Sequence, residues 1–544
     1  MGKMERELLE RGLLSKAQLE QAQDAAKKSV KPLAIFLIEQ GLAPEAAVLK
    51  IQAEQHGLKF ATIKDLAIPD RVIRSVPPKL AAYYAVMPIQ FESGALTLAV
   101  SNPLEMSAVE DIQTNLGYQV ERVLACRDDI LGALRKYYGV GADTVERILS
   151  ETDRPGEAPV QEESHDIGRM AEDATVVRLV NQLLHEAIKD RATDIHFEAY
   201  RDGIGVRRRI DGILYDTTVP RNIRLLYPAI VSRIKLMSAL NIVERRLPQD
   251  GRTRVKIGHS EYDLRISVVP AIHGEDVVIR ILPATMLFDL SQLGFSEAHL
   301  RQLYEFIAKP HGIIFVTGPT GSGKSTTLYA CLSRLNTRER KIITIEDPVE
   351  YELKGITQTQ TRPAIGLSFA RALRSMLRHD PDVMMVGEVR DRETAEIAVQ
   401  TAMTGHLVLS TLHTNDAAGG GVRMIDMGIE PYLIASTVLL FTAQRLVREI
   451  CRECRESYEA NGQTLYRGRG CRECNASGYR GRLAINEFLP LTPEMQELIL
   501  RKSSAKVLRE KADALGMATL AADGMDKVAR GITTLEEILR VTTM

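Results

Sequence analysis

The sequence predicts an α/β protein whose largest domain is a doubly wound sheet built around a phosphate-binding loop. Three observations predict it. "GIIFVT" (312–317) is an apolar run of strand length, "GPTGSGKSTT" (318–327) follows it directly, and further apolar runs alternate with helix-length segments downstream. In the loop, Gly318, Gly323, Lys324 and Ser325 stand at G-x-x-x-x-G-K-[ST] spacing, with Pro319, Thr320, Gly321 and Ser322 between and Thr326 after. Backbone N–H groups of such a loop can wrap phosphates, and the helix that follows adds positive potential at its N-terminus. Lys324 is placed to reach the β- and γ-phosphates and Ser325 to ligate Mg²⁺. The chain is expected to bind a nucleoside triphosphate.

Size and charge set the frame for the other elements. A chain of 544 residues holds several domains, and 70 Lys plus Arg against 71 Asp plus Glu leave no whole-chain bias towards nucleic acid. The opening "MGKMERELLERG" is charged, so no secretory signal is expected, and "YLIASTVLLFTA" (432–443) is too short to span a bilayer. Six cysteines in so long a chain are not a disulfide framework. A cytosolic protein that reaches the membrane through partners is expected.

Residues 1–140 read as a small α+β domain. "LLERGLLSKAQLEQAQ" (8–23) aligns with "LIEQGLAPEAAVLKIQ" (37–52) at an offset of 29 residues, each copy turning at Gly12 or Gly41, which predicts two helix–turn–helix units packed face to face. "YYAVMPIQFESGALTLAVSNP" then alternates like paired strands around Ser93-Gly94. Residues 141–172, including the acidic "ETDRPGEAPVQEESHDIGRMAE", have no apolar period and read as a mobile linker. A second α+β domain spans 173–285: "DATVVRLVNQLLHEAIKD" has helical periodicity and "TDIHFEAYRDGIGVRRRIDGILYDT" (193–217) reads as hairpin strands. The nucleotide-binding domain is 286–544, closing with a helical region at 490–544.

Carboxylates downstream of the phosphate loop carry the next signal. "KIITIEDPVEYE" (341–352) is an apolar strand followed by Glu346, Asp347 and Glu350, and "DVMMVGEVRD" (382–391) leads to Glu388. A strand-end carboxylate beside the loop can hold Mg²⁺ directly or through water, and a second can polarise the attacking water. "TGHLVLSTLHTND" (404–416) supplies His406 and His413 near another strand end, where an imidazole can contact the γ-phosphate.

Cys451, Cys454, Cys471 and Cys474 form two C-x2-C knuckles separated by sixteen residues. Two such knuckles can close a tetrahedral Zn²⁺ site, structural because no coordination position stays open. Cys126 and Cys331 read as buried thiols. The module at 445–482 carries nine arginines against five glutamates. Nucleic-acid binding is not expected there, because no aromatic stacking pattern accompanies the charges; a docking surface for a membrane partner fits better.

Together these stretches resemble the secretion-system ATPase superfamily. "GPTGSGKSTT", "TIEDPVEY", "DPDVMMVGEVRD" and "TGHLVLSTLHTND" are similar to its Walker A, Asp, Walker B and His boxes, and "DIHFEAYRDGIGVRRRIDG" with "LPQDGRTRVKI" to the domain before the motor. The resemblance covers 173 to about 490 and is nearest to the assembly ATPases of type IV pili and type II secretion systems. It implies a RecA-like motor preceded by a PAS-like domain, working as a cytoplasmic homohexamer on ATP and Mg²⁺. An inner-membrane platform protein and an adaptor docked by the N-terminal domain are the implied partners. It assigns Glu350 as the base that orients water, Glu388 to Mg²⁺ or its water shell, Glu346 to the nucleotide site and His413 to the γ-phosphate. Arg207, Arg209, Arg252 and Arg265 match arginines that such hexamers place around the nucleotide, some across a subunit boundary. The loop between the cysteine knuckles is usually longer in that family. DNA-translocating ATPases share the fold, and retraction ATPases lack both the front domain and the cysteine module.

The helical repeat at 8–52 resembles a front domain that in some members binds cyclic di-GMP through two motifs beginning "RLG". Here those positions read Lys3-Met4-Glu5 and Pro32-Leu33-Ala34. With both arginines and both glycines gone, the domain is expected to dock a partner and to bind the dinucleotide weakly or not at all.

Overall fold

The computed structural model describes residues 3–28, 32–64, 66–92, 94–103, 106–139, 174–220, 222–283, 289–460 and 462–542. The expected linker at 141–172 lies outside the described residues. The chain forms two compact units, Met1–Leu282 and Pro283–Met544.

In the first unit, the repeat is two helical hairpins: α1 (Lys3–Glu10) with α2 (Lys16–Lys28), and α3 (Leu33–Glu39) with α4 (Glu45–His56). Gly12 and Gly41 turn the chain at φ +65° and +64°, a conformation that costs other residues energy. Leu8, Leu19, Leu37 and Ile51 meet in one apolar cluster between the hairpins. A sheet of four strands follows: β1 (Lys59–Phe60), β2 (Val86–Glu92), β3 (Ala95–Val100) and β4 (Gln119–Leu124), in the order β1-β4-β3-β2. β2 and β3 are the hairpin that the alternation predicts.

The next sheet has six strands: β5 (Ala192–Tyr200), β6 (Gly203–Ile210), β7 (Ile213–Asp216), β8 (Gln249–Ile257), β9 (Ser260–Ala271) and β10 (Gly274–Pro283), ordered β7-β6-β5-β10-β9-β8. The stretch 193–217 folds as the expected hairpins. Helices α5 (Ala174–Lys189) and α6 (Ile223–Met237) share a core with the sheet, in which Leu179 and Ile230 cluster with Phe197 and Ile279.

The second unit holds β11 (Gly312–Thr317), β12 (Ile342–Glu346), β13 (Thr357–Gln360), β14 (Val383–Val386), β15 (Leu407–Leu412), β16 (Val438–Ile450) and β19 (Tyr479–Pro490), ordered β13-β12-β14-β15-β11-β16-β19. The small hairpin β17 (Arg455–Ala460) and β18 (Gln463–Gly468) stands outside this sheet. All neighbours in the large sheet are parallel except β16 and β19. Every residue of β11 is buried; Ile313 and Phe315 belong to one core cluster and Ile314 and Val316 to another. Both faces are therefore covered, which is why the strand reads as an unbroken apolar run. Parallel strands bring the C-terminal ends of β11, β12, β14 and β15 to one edge, where ligands of such sheets sit. "YLIASTVLLFTA" divides between the helix Pro431–Thr437 and β16, and no described helix is long and apolar enough to cross a membrane.

Candidate nucleotide site and cysteine centre

The phosphate loop runs from β11 into α7 (Lys324–Leu335), with Gly318 at φ +147° and Gly323 at φ +85°. A Cβ on Gly318 would lie 2.6 Å from both Gln444 O and Ser322 Oγ, so β16 passes too close for any other residue. Gln444 clamps the loop: its Nε2 donates to Ser322 O at 2.7 Å, and Thr327 Oγ1 donates to its Oε1 at 2.7 Å. Beside it Arg445, only 8% exposed, donates from Nη2 to Asn415 O at 2.8 Å. Sequence reasoning missed both residues. Their signal was a polar pair inside the apolar strand "FTAQRLV".

Lys324 Nζ donates to Gly318 O at 2.8 Å and to Pro319 O at 3.0 Å. Burial lowers its pKa to about 8, against the pull of Glu388 and with the push of Arg445. A phosphate needs the ammonium form, and an added anion raises this pKa. Affinity for a nucleoside triphosphate is therefore expected to fall as pH rises past about 8, by up to about tenfold per unit, with proton uptake on binding. Titration calorimetry in two buffers of different ionisation enthalpy checks both; equal affinity at pH 7 and pH 9.5 would exclude a neutralised Lys324.

Glu388 and His413 come together from adjacent strands. His413 Nε2 lies 3.2 Å from Glu388 Oε2, while Arg390 pairs with Glu388 Oε1 at 2.6 Å. His406 does not join them. It precedes β15 whereas His413 follows it, so the six-residue strand separates them by about 20 Å. Its Nδ1 lies 3.0 Å from Thr401 O and 3.1 Å from Thr404 Oγ1, which makes it part of a helix end. Of the two histidines that the sequence places near this strand, only His413 stands at its C-terminal end, the end that parallel strands present at the crevice.

Glu346 is 4% exposed and held by protein donors: Tyr329 OH to Oε2, Thr344 Oγ1 to Oε1 at 2.5 Å, and Gln358 Nε2 to Oε1 at 3.1 Å. Its carboxylate thus forms the wall of the site. Glu350 follows on the loop after β12, and its N–H donates to Tyr329 OH at 3.1 Å. The four arginines all lie in the first unit. Arg207 makes a two-pronged pair with Glu198 at 2.6 and 2.7 Å, Arg209 Nη1 donates to Gly212 O at 3.0 Å, and Arg252 Nε reaches both oxygens of Asp263 at 2.8 and 2.7 Å. Arg265 is the register partner of Arg252 across β8 and β9.

The four cysteine sulfurs lie within 4.8 Å of one another. Cys451–Cys471, Cys454–Cys474 and Cys471–Cys474 Sγ separations are 3.7, 3.8 and 3.7 Å. A tetrahedron with Zn–S bonds of about 2.3 Å has edges of about 3.8 Å, so the donor set fits Zn²⁺. Backbone N–H groups of Cys471 and Gly478 donate to Cys474 Sγ at 3.1 and 3.3 Å, the kind of support that ligating thiolates receive. Cys331 is buried as expected, whereas Cys126 is only partly so. Tyrosines do stand among the module's arginines, but they are engaged within the unit: Arg448, Arg455 and Arg467 lie over the rings of Tyr479, Tyr466 and Tyr458 at 4.0, 5.2 and 5.3 Å. Two of these stacks cross between the strands of the hairpin β17–β18, and the third joins β16 to β19.

Residues 169–540 match the family described as Type II/IV secretion system protein. The chain belongs to this family. Type IV pilus assembly ATPase PilB of Myxococcus xanthus is 42% identical, over 99% of this chain and 98% of its own length. Type II secretion system protein E of Dickeya dadantii is 50% identical over 396 residues, 70% of this chain and 78% of its own. The X-ray structure of the Legionella pneumophila ATPase DotB has a TM-score of 0.53 at 22% identity, covering 72% of this chain and 98% of DotB, and shows that the fold is shared. With the family established and the phosphate loop intact, this member of the secretion family is an ATPase. Residues 56–144 also match the MshEN domain. That match counts against the expectation that the front domain binds cyclic di-GMP weakly or not at all; the altered positions 3–5 and 32–34 lie outside the matched span.

Proposed function

We propose that this ATPase powers type IV pilus assembly as a homohexamer on the cytoplasmic side of the inner membrane, acting on a platform protein. The supporting observation is the 42% identity to a pilus-assembly ATPase along the whole chain, front domain included, against 40% to a type II secretion protein E over the same span. The division into a docking domain (1–140), linker (141–172), intermediate domain (173–285) and motor (286–544) belongs to this reading. Lys324 and the loop N–H groups bind the phosphates, Ser325 would ligate Mg²⁺ and Glu388 would hold the ion or its water shell, where it would neutralise charge, and His413 lines the γ-phosphate beside Glu388. Glu350 orients the attacking water. Arg207, Arg209, Arg252 and Arg265 serve around the nucleotide, at least one from a neighbouring subunit, as the phosphoryl group develops charge. The cysteine module holds one structural Zn²⁺.

A second reading, the motor of a type II secretion system, is favoured by the 50% identity to a secretion protein E across the motor region. One experiment separates the two. A strain whose only copy carries Lys324→Ala is expected to lose surface pili and keep its secreted enzymes. Intact pili with enzymes retained in the cell would assign the secretion motor instead.

A further inference from the structure

The loop that carries Glu350 has no regular structure of its own between β12 and β13. Its backbone groups need partners from elsewhere; Asn336 Nδ2 donates to Lys354 O at 2.8 Å, and around Glu350 the partners are Tyr329 and Gln358. Glu350 N–H donates to Tyr329 OH at 3.1 Å. On the other side, Leu353 N–H donates to Gln358 Oε1 at 2.6 Å, and Gln358 Nε2 donates to Tyr351 O at 2.9 Å.

We propose that the Tyr329 hydroxyl is a positioning residue for Glu350, with Gln358 holding the same loop from its far side. The proposal rests on the reading of Glu350 as the water-orienting base. Tyr329 is 1% exposed, and its one O–H proton is committed to Glu346 Oε2. The hydroxyl lone pairs are thereby turned towards the Glu350 N–H, and the carboxylate polarises the bond it accepts. Glu346 is fixed in turn by Thr344 and Gln358. The Tyr329 ring also meets the Tyr351 ring edge-on, centroids 5.9 Å apart at 82°.

The place of Tyr329 in the chain gives this contact its consequence. Tyr329 lies on α7, the helix whose first residues, Lys324 and Ser325, face the phosphate loop. Five residues of helix rise about 7.5 Å as one rigid piece. One element therefore sets where the phosphates lie and where the Glu350 backbone is held. Misplacing a reacting group by about 1 Å can cost about 10²-fold in rate without affecting binding.

The test is steady-state ATP turnover and ADP affinity for the full-length assembled enzyme. Tyr329→Phe keeps the ring and removes the hydroxyl. It is expected to lower kcat about 10- to 100-fold while KM and ADP affinity stay within about twofold. Gln358→Met is expected to lower kcat in the same sense by about 3- to 10-fold, and it decides the matter alone if Tyr329→Phe does not fold. Neither substitution should slow Glu350→Gln further, because both act through the same group. Wild-type kcat in the folded variants would overturn the proposal, and so would an equal further loss in the Glu350→Gln background. Wild-type turnover in Glu350→Gln itself would instead remove the base assignment beneath it.

Discussion

Glu350→Gln is expected to lower ATP turnover by about 10²- to 10⁴-fold while nucleotide affinity stays within about twofold. The amide keeps the size of the carboxylate and loses the charge that accepts a proton from water. The neighbours that build the loop act on backbone groups or on Glu346, so they survive the change: Tyr329 OH still receives the N–H of residue 350, and Gln358 still holds Tyr351 O. Lys324→Ala should behave differently. It removes the one lysine of the phosphate loop, and both affinity and turnover should be lost. Fluorescent-nucleotide binding beside steady-state kinetics distinguishes the two. Wild-type turnover in Glu350→Gln would move the role of base to Glu388, the other acid near the loop whose charge acts on Lys324.

Cys454→Ser is expected to take zinc content from about one ion per chain to about none and to unfold the module locally. Elemental analysis and hydrogen exchange check it. Structural four-ligand zinc sites contribute on the order of 10 kcal/mol to local folding, so the hairpin β17–β18 should not survive the loss intact. The damage should spread along contacts that leave the module. Ile450 N–H donates to Ile532 O at 2.8 Å, Arg455 Nη1 donates to Gly531 O at 3.2 Å, and Tyr479 OH lies 2.9 Å from Thr534 Oγ1. Exchange should therefore quicken at 531–534 as well as at 451–478. The phosphate loop touches β16 at Gln444, seven residues before Cys451 and thus about 20 Å along the strand. The loss of turnover should accordingly be far smaller than in Glu350→Gln. Protein purified without chelator and found free of zinc would exclude the site, and a zinc loss that abolished hydrolysis would show that the module supports the motor core.

Much of this molecule was legible because its signals are local. The phosphate loop, the acids after β12 and β14, and the paired cysteine knuckles are each specified by residues a few positions apart, where backbone geometry dictates residue type. Gly318 needs to be glycine because of a conformation and a close approach, and the motif spacing already encodes both. The apolar run of β11 announced a strand covered on two faces, and the alternation around 86–100 announced a hairpin.

What the sequence by itself determined is the chemistry available: a triphosphate loop, carboxylates and a histidine beside it, and four thiolates at metal spacing. Only the tertiary structure decided which of these groups meet. His413 reaches Glu388 and His406 does not, because strand direction separates the two ends of β15. Glu346 became part of a wall once Tyr329, Thr344 and Gln358 took its oxygens. Gln444 reaches Thr327 across 117 positions of chain, a distance over which spacing carries no information. The physical reason is the same in each case: a short motif constrains its own backbone, whereas the partner of a buried polar group is chosen by whichever distant element the fold packs against it.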